Sequence, residues 1–346
     1  MTRHWPLVVI VSVYLIIGTL FATRIPAWQM PDEPAHYNYI KQLAERGLVP
    51  IIKPSDWPRD FQPIGPDKRD VDIAPLTYED HQPPLYYLLQ TPVYAVTHGS
   101  LTALRLVSLA FGAFTIGFIY LAVLAIFPQH AYLAAFAAAF AGLLGQHVFM
   151  LSGVNNDALA EALLACAVWQ SLRLIRPSGP TRRELIALIV TIGLCLWTKV
   201  TAYLAVPIAA WALLRRPASE EGPGWGRGRA LIVPAVAAFL LGLPWWVHNL
   251  QVYGGLDFLG LQRHNAVVIV SQITPAEWIQ QHGLGSLLAY LLQTTFQSFW
   301  GQFGWMSVTF DKRVYIALLI DTLVSAALFM LWWLHGQSAN AACKAR

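Results

Sequence analysis

Residues 5–36 read WPLVVIVSVYLIIGTLFATRIPAWQMPDEPAH. Trp5 to Ala22 carries no charge, lies between Arg3 and Arg24, and is long enough to cross a bilayer core. No small-residue cleavage site follows, so it reads as an uncleaved anchor. Just beyond it, Asp32 and Glu33 stand side by side at the membrane boundary. Charge is costly there, which marks the pair as a functional candidate.

The rest of the chain agrees with a membrane reading. Of 346 residues 56% are hydrophobic and 12% charged, about half the charge of a soluble domain. Mean hydropathy is +0.48. The apolar residues come in long blocks, which predicts a single all-α polytopic domain over residues 1–346. Net charge is +4, an excess that basic cytoplasmic loops explain better than nucleic-acid binding. Cys166, Cys195 and Cys343 have no CxxC or Cys/His spacing, so neither a disulfide framework nor a zinc site is supported.

Eight spans follow from the blocks: Trp5 to Ala22, Leu101 to Phe127, Ala131 to Leu151, Asn155 to Ile175, Glu184 to Arg216 split in two at Thr198-Lys199, Arg229 to Asn249, and Val314 to Leu334. Leu85 to Thr97 is too short and reads as interfacial or partly inserted. Residues 24–84 form a large first loop holding ten of the chain's 19 acidic residues. Within it Tyr37, Ile40, Leu43, Ala44 and Leu48 recur at helical spacing, predicting an amphipathic helix on the membrane surface. Pro50 to Pro75 reads as loop. Residues 251–313 form a second loop with an interfacial or re-entrant helix over Leu284 to Trp300, and Gly222 to Arg229 is a flexible connector.

Arginines fix the orientation. With the N-terminus inside, Arg173, Arg176, Arg182 and Arg183, then Arg215, Arg216, Arg227 and Arg229, fall in short cytoplasmic loops. Asp32-Glu33, Asn155-Asn156-Asp157, Lys199 and His248-Asn249 then converge on the outer face.

Each polar candidate has an ordinary reading beside a chemical one. Asp32 is placed to cap the helix that Pro34 begins, with Glu33 complementing its dipole. Chemically, Asp32 could accept a proton from a hydroxyl, and the two carboxylates could contribute to a divalent-cation site. His81 and Gln82 precede Pro83-Pro84, a rigid turn able to aim a donor at a lipid phosphate. Asn155-Asn156-Asp157 opens the next helix, one of the three as its cap. Arg105 and Lys199 sit near span ends, where basic groups snorkel or hold a phosphate. Trp245-Trp246-Val247-His248-Asn249 reads most simply as an interfacial aromatic belt.

Taken in order, PDEPAH (31–36), HQPPLYY (81–87), NNDA (155–158), Thr198-Lys199, PWWVHN (244–249) and SFWGQFGW (298–305) resemble the membrane-embedded glycosyltransferases of the GT-C fold, in their protein-mannosyltransferase-like branch. The set looks nearest to a bacterial multi-pass subgroup. The resemblance implies an inverting transfer from a polyprenyl-phosphate sugar to an acceptor hydroxyl at the outer face of the inner membrane. It matches Asp32-Glu33 to the family's acidic motif and His81 and Lys199 to its basic positions. Asp32 and Glu33 are then the expected catalytic pair, and His81 and Lys199, together with Arg105 from its place near a span end, the expected donor-phosphate ligands. His36, Gln82, Tyr86, Asn155, Asn156, Asp157, Trp246, His248, Asn249 and Trp300 would line the substrate cavity. The prenyl chain would lie between the loop helix and the bundle. The expected cofactor is at most a divalent cation at Asp32 and Glu33; the expected partners are the lipid-linked donor and membrane lipid, with no nucleic acid. Such proteins usually carry more C-terminal helices, so this chain reads as compact or shortened. The alternative is a non-catalytic protein that binds or moves a polyprenyl lipid, or a structural partner in envelope assembly.

Overall fold

A computed structural model of the chain describes residues 4–57, 72–217, 226–268 and 273–344. Their elements run α1 (Trp5–Arg24), α2 (Glu33–Arg46), α3 (Leu85–Val96), α4 (Leu101–Ile126), α5 (Ala131–Leu143), α6 (Gly145–Leu151), α7 (Asp157–Leu174) and α8 (Arg182–Leu196). A 3-10 turn (Val200–Leu204) leads to α9 (Ala205–Arg215) and α10 (Arg227–Tyr253), followed by α11 (Leu261–Val268), α12 (Pro275–His282) and α13 (Leu284–Trp300). A short ribbon pairs β1 (Gln302–Phe303) antiparallel to β2 (Val308–Thr309), and α14 (Lys312–Lys344) closes the order. The protein is an all-α polytopic membrane protein.

Among the described residues four helices are long and apolar enough to cross a membrane: α1, α4, α10 from Leu231, and α14 to His335. A fifth span appears if α5 and α6 count as one, but these are bent by 65° at Leu144. The span predicted over Ala131 to Leu151 falls on this bent pair: Leu144 is extended (ψ 114) and interrupts the helix. The other expected spans fall on α7, α8 and α9, of 18, 15 and 11 residues, below the roughly 20 residues of an upright crossing. The break predicted at Thr198-Lys199 is present. Lys199 is extended (φ −164, ψ 146) between α8 and the 3-10 turn.

One core joins α1, α4, α5, α6 and α7 around Tyr14, Leu109, Ile116 and Leu151. Glycine permits the approach: a Cβ on Gly18 would meet Leu109, and one on Gly112 would meet the Tyr14 hydroxyl and Leu151. Small residues at such crossings let helix backbones pack closely in a bilayer. Tyr14 also donates to the Leu109 carbonyl at 3.1 Å. A second core joins α7, α8, α9 and α10.

The loop helix α2 does not lie free on the membrane surface. Tyr39, Ile40 and Leu43 pack against α3, with Tyr39 stacked on Tyr87 at 3.7 Å, whereas Leu48 is 72% exposed. Asn38 is buried too, donating to the carbonyls of Ile73 and Leu76 at 2.6 and 2.9 Å. The groove expected between loop helix and bundle is thus filled by tyrosines. Of the loop expected over Pro50 to Pro75, residues 58–71 lie outside the described residues, as do 222–225 of the connector. The ribbon region reaches back to the first loop: Trp305 Nε1 donates to the Trp28 carbonyl at 2.9 Å.

Gly112→Ala should force Tyr14 off Leu109 and lower stability by about 1–3 kcal/mol, the usual cost of overpacking. Thermal unfolding in detergent reads this. Gly117→Ala, whose Cβ would meet nothing within 4 Å, should lose none.

Candidate active site

The chain leaves α1 through Ile25 and Pro26 and turns sharply at Asp32, which has a left-handed backbone (φ 61). Asp tolerates that region better than most residues. A capping residue needs an extended backbone to reach the first free N–H groups. Asp32 consequently makes no side-chain cap bond, and the capping role expected from sequence is corrected. Its carboxylate instead accepts from the Tyr78 hydroxyl at 2.7 Å. Tyr78 is buried, and burial together with the Asp32 charge holds its phenol well above its ordinary value. It stays a donor.

Glu33, beside it, is fully buried and committed. Arg105 of α4 meets it with two bonds, Nε to Oε1 at 2.7 Å and Nη2 to Oε2 at 2.6 Å. The remaining guanidinium hydrogens go to the carbonyls of Ala22, Ile25 and Pro26 at 2.8 to 3.1 Å. All five Arg105 donors are used. Glu33 also accepts the backbone N–H groups of Trp28 and Val154 at 3.1 and 3.2 Å. The expected catalytic carboxylate and the expected phosphate ligand thus neutralise each other.

Lys199 reaches Asp157, at the start of α7, with Nζ to Oδ1 at 2.7 Å, both groups partly exposed. Asn155 Oδ1 accepts the Asp157 N–H at 2.8 Å, so Asn155 orders the helix start. Asn156 donates to Gln82 Oε1 and to the Thr198 carbonyl at 3.2 and 3.3 Å, joining three segments at one point. Its own Oδ1 is buried without a partner among the described residues. His81, also buried, places Nδ1 at 3.2 Å from the Tyr78 carbonyl. His36 is buried with Nδ1 at 2.8 Å from the Tyr87 hydroxyl.

Electrostatics ties these groups into one region. Burial, then the Glu79 charge, pushes Asp32 up to about 6, against the Tyr78 bond and the Lys199 charge that favour its ionised form. Burial holds His81 down to about 3, helped by His264 and Lys199. His36 is likewise driven well below its ordinary value by burial, Lys199 and His81. Asp32, His36 and His81 each feel the Lys199 charge, and His36 also feels that of His81.

The other expected residues lie elsewhere. Tyr86 is buried between α3 and α4 against Ser108 and Gln90. Trp246 donates to the Tyr203 hydroxyl at 3.0 Å. With Leu196, Val206, Leu213, Pro234 and Phe239 it lines an apolar cavity of about 370 Å³ between α8, α9 and α10. His248 stacks on Trp245, and Asn249 donates to the Phe258 carbonyl at 2.9 Å. Trp300 packs on Phe140 of α5. Sequence reasoning missed Tyr78, Glu79 and Asp257, which sit in loops without periodicity, and His264, which lies on the short helix α11. Among the described residues no group of three or more His, Cys, Asp or Glu is arranged to hold a metal ion. Glu33, bound as above, does not fit as a ligand.

Residues 81–248 match the family model described as dolichyl-phosphate-mannose-protein mannosyltransferase. Over that segment the chain is similar to a family of GT-C-type glycosyltransferases. The resemblance seen in the motifs is borne out over that segment, which contains His81, Arg105, Asp157 and Lys199. No curated protein matches the chain.

Removing one partner of a buried ion pair costs about 3–5 kcal/mol. Arg105→Gln should therefore lower the unfolding temperature sharply, and Glu33→Gln/Arg105→Gln should be less destabilised than the two single changes summed. Additive losses would show that the pair is not coupled. Asp80, buried and bound by the Gln42 amide at 2.9 and 3.1 Å, gives a second check. Burial first, with Asp56 and Glu79, pushes it up to about 8. The folded carboxyl binds its proton more tightly than the unfolded one, so its contribution is present in acid and lost as pH rises through 8. Asp80→Asn should flatten stability over that window in pH-dependent unfolding.

Proposed function

We propose that this glycosyltransferase takes a sugar from a polyprenyl-phosphate donor and passes it, with inversion, to an acceptor hydroxyl on the outer face of the inner membrane. The observation that carries this reading is Asp32: a partly exposed carboxylate, aimed by the Tyr78 hydroxyl, within electrostatic reach of Lys199. Asp32 is the base. As the acceptor oxygen forms its bond to the anomeric carbon, the acceptor proton passes to Asp32 and the bond to the phosphate oxygen breaks. Charge develops on that phosphate, where Lys199 and His81 stabilise it. Glu33 and Arg105 act as positioning residues, since their bonding capacity is spent on each other and on the backbone.

The apolar cavity between α8, α9 and α10 suits the prenyl chain. Tyr203, in the 3-10 turn that follows Lys199, is among its lining residues. The arginine-rich short loops support an outward-facing site.

Loss of a general base typically costs about 10²- to 10⁴-fold. In membranes that supply the acceptor, Asp32→Asn should slow consumption of a labelled polyprenyl-phosphate sugar by at least about 100-fold. The wild-type rate should fall as pH drops through about 6, where Asp32 takes up its proton. Unchanged turnover in Asp32→Asn would remove Asp32 as base and favour the lipid-binding alternative.

A further inference from the structure

The second loop places a residue against the site that none of the motifs contains. His264, on α11, sits over His81 with ring centroids 4.3 Å apart and planes tilted by 41°. The turn before α11 is fitted to this contact. Gly260 has a left-handed backbone (φ 72), and a Cβ on it would stand 3.0 Å from the His81 Cβ. Asp257, buried, accepts the N–H groups of Gln262 and Arg263 at 3.1 and 2.8 Å and so starts α11. Asn249 at the end of α10 fixes the same turn through the Phe258 carbonyl. The imidazole is thus held by a connector anchored in the bundle.

We propose that His81 and His264 form a two-imidazole acceptor for the second negative charge of the departing phosphate, taking up one proton as that charge appears. The inference rests on the donor reading above and adds a residue and a proton to it. The donor phosphodiester carries one negative charge. When its bond to the sugar breaks, the bonding electrons remain on the phosphate oxygen and leave a monoester with a second ionisable position. Asp32 holds the acceptor proton, and the proton for the imidazole pair comes from solvent. His81 Nδ1 faces a carbonyl, which only accepts, so Nδ1 carries the hydrogen and Nε2 is the nitrogen left for a ligand. Burial and the facing His264 and Lys199 keep His81 neutral, while Asp257 opposes them. His36 of α2 senses the His81 charge from the other side, and Arg263 neighbours His264 on α11. A single-charged diester leaves this balance in place. A doubly charged monoester offsets the repulsion and makes one shared proton favourable.

Full-length protein in detergent tests this by calorimetry at pH 8 in two buffers of different ionisation enthalpy. The probes are a polyprenyl phosphate and its methyl diester. The wild type should take up close to one proton with the monoester and none with the diester. His264→Ala should abolish the uptake and weaken monoester binding about tenfold, while diester binding stays within twofold and reports an intact fold. Gly260→Ala, which displaces the turn, should reproduce the His264→Ala pattern. Equal proton uptake with both probes, or uptake that survives His264→Ala, overturns the inference while sugar transfer by the wild type keeps the donor reading intact. Failure of the wild type to bind either probe overturns both.

Discussion

The pairing of Arg105 with Glu33 is the constraint on which the candidate-site end of this protein depends. Two charges buried together gain little net energy over an apolar pair of the same size, but each is ruinous without the other. Here the guanidinium also closes the end of α1 by binding the carbonyls of Ala22, Ile25 and Pro26. The carboxylate in turn binds the N–H groups of Trp28 and Val154. One ion pair therefore fixes the exit of α1, the start of α2, the flank of α4 and the corner between α6 and α7.

That arrangement explains how Asp32 can be both strained and useful. Its neighbour Glu33 is locked, so the backbone at Asp32 must take the left-handed turn, and its side chain points to Tyr78 instead of to the helix end. The same corner carries Asn155, Asn156 and Asp157, and Asn156 bonds to both Gln82 and Thr198. Lys199, one residue on, is brought to Asp157 by this join. The acidic first loop, the Pro-Pro turn and the break between α8 and α9 meet through side-chain and backbone hydrogen bonds, which is how irregular chain at a membrane boundary satisfies its polar groups.

Part of this was legible from residues alone. Blocks of apolar residues disclosed the helical membrane class, and Thr198-Lys199 disclosed a break because a charge inside a span is costly. Arginine placement was enough to bring Asp32 and Lys199 to one end. The bend at Leu144 escaped notice because alanine-rich sequence carries no periodicity to interrupt. The spending of Glu33 on Arg105 escaped because 72 positions separate them and each alone looks like a free charge. Tyr78 and His264 escaped for a related reason: their importance comes from what packs beside them, which local pattern does not encode.

Among the described residues, a pair of apolar recesses separates the account from its rivals. One lies between α8, α9 and α10 beside Tyr203 and Trp246; the other lies between α13 and α14 beside Phe296 and Tyr315. A polyprenyl phosphate carrying a photoreactive group near its phosphate end, crosslinked to the protein in membranes and mapped by mass spectrometry, reports the occupied one. The account predicts adducts around Tyr203, Trp246 and the 77–82 turn. Adducts confined to α13 and α14 would contradict it.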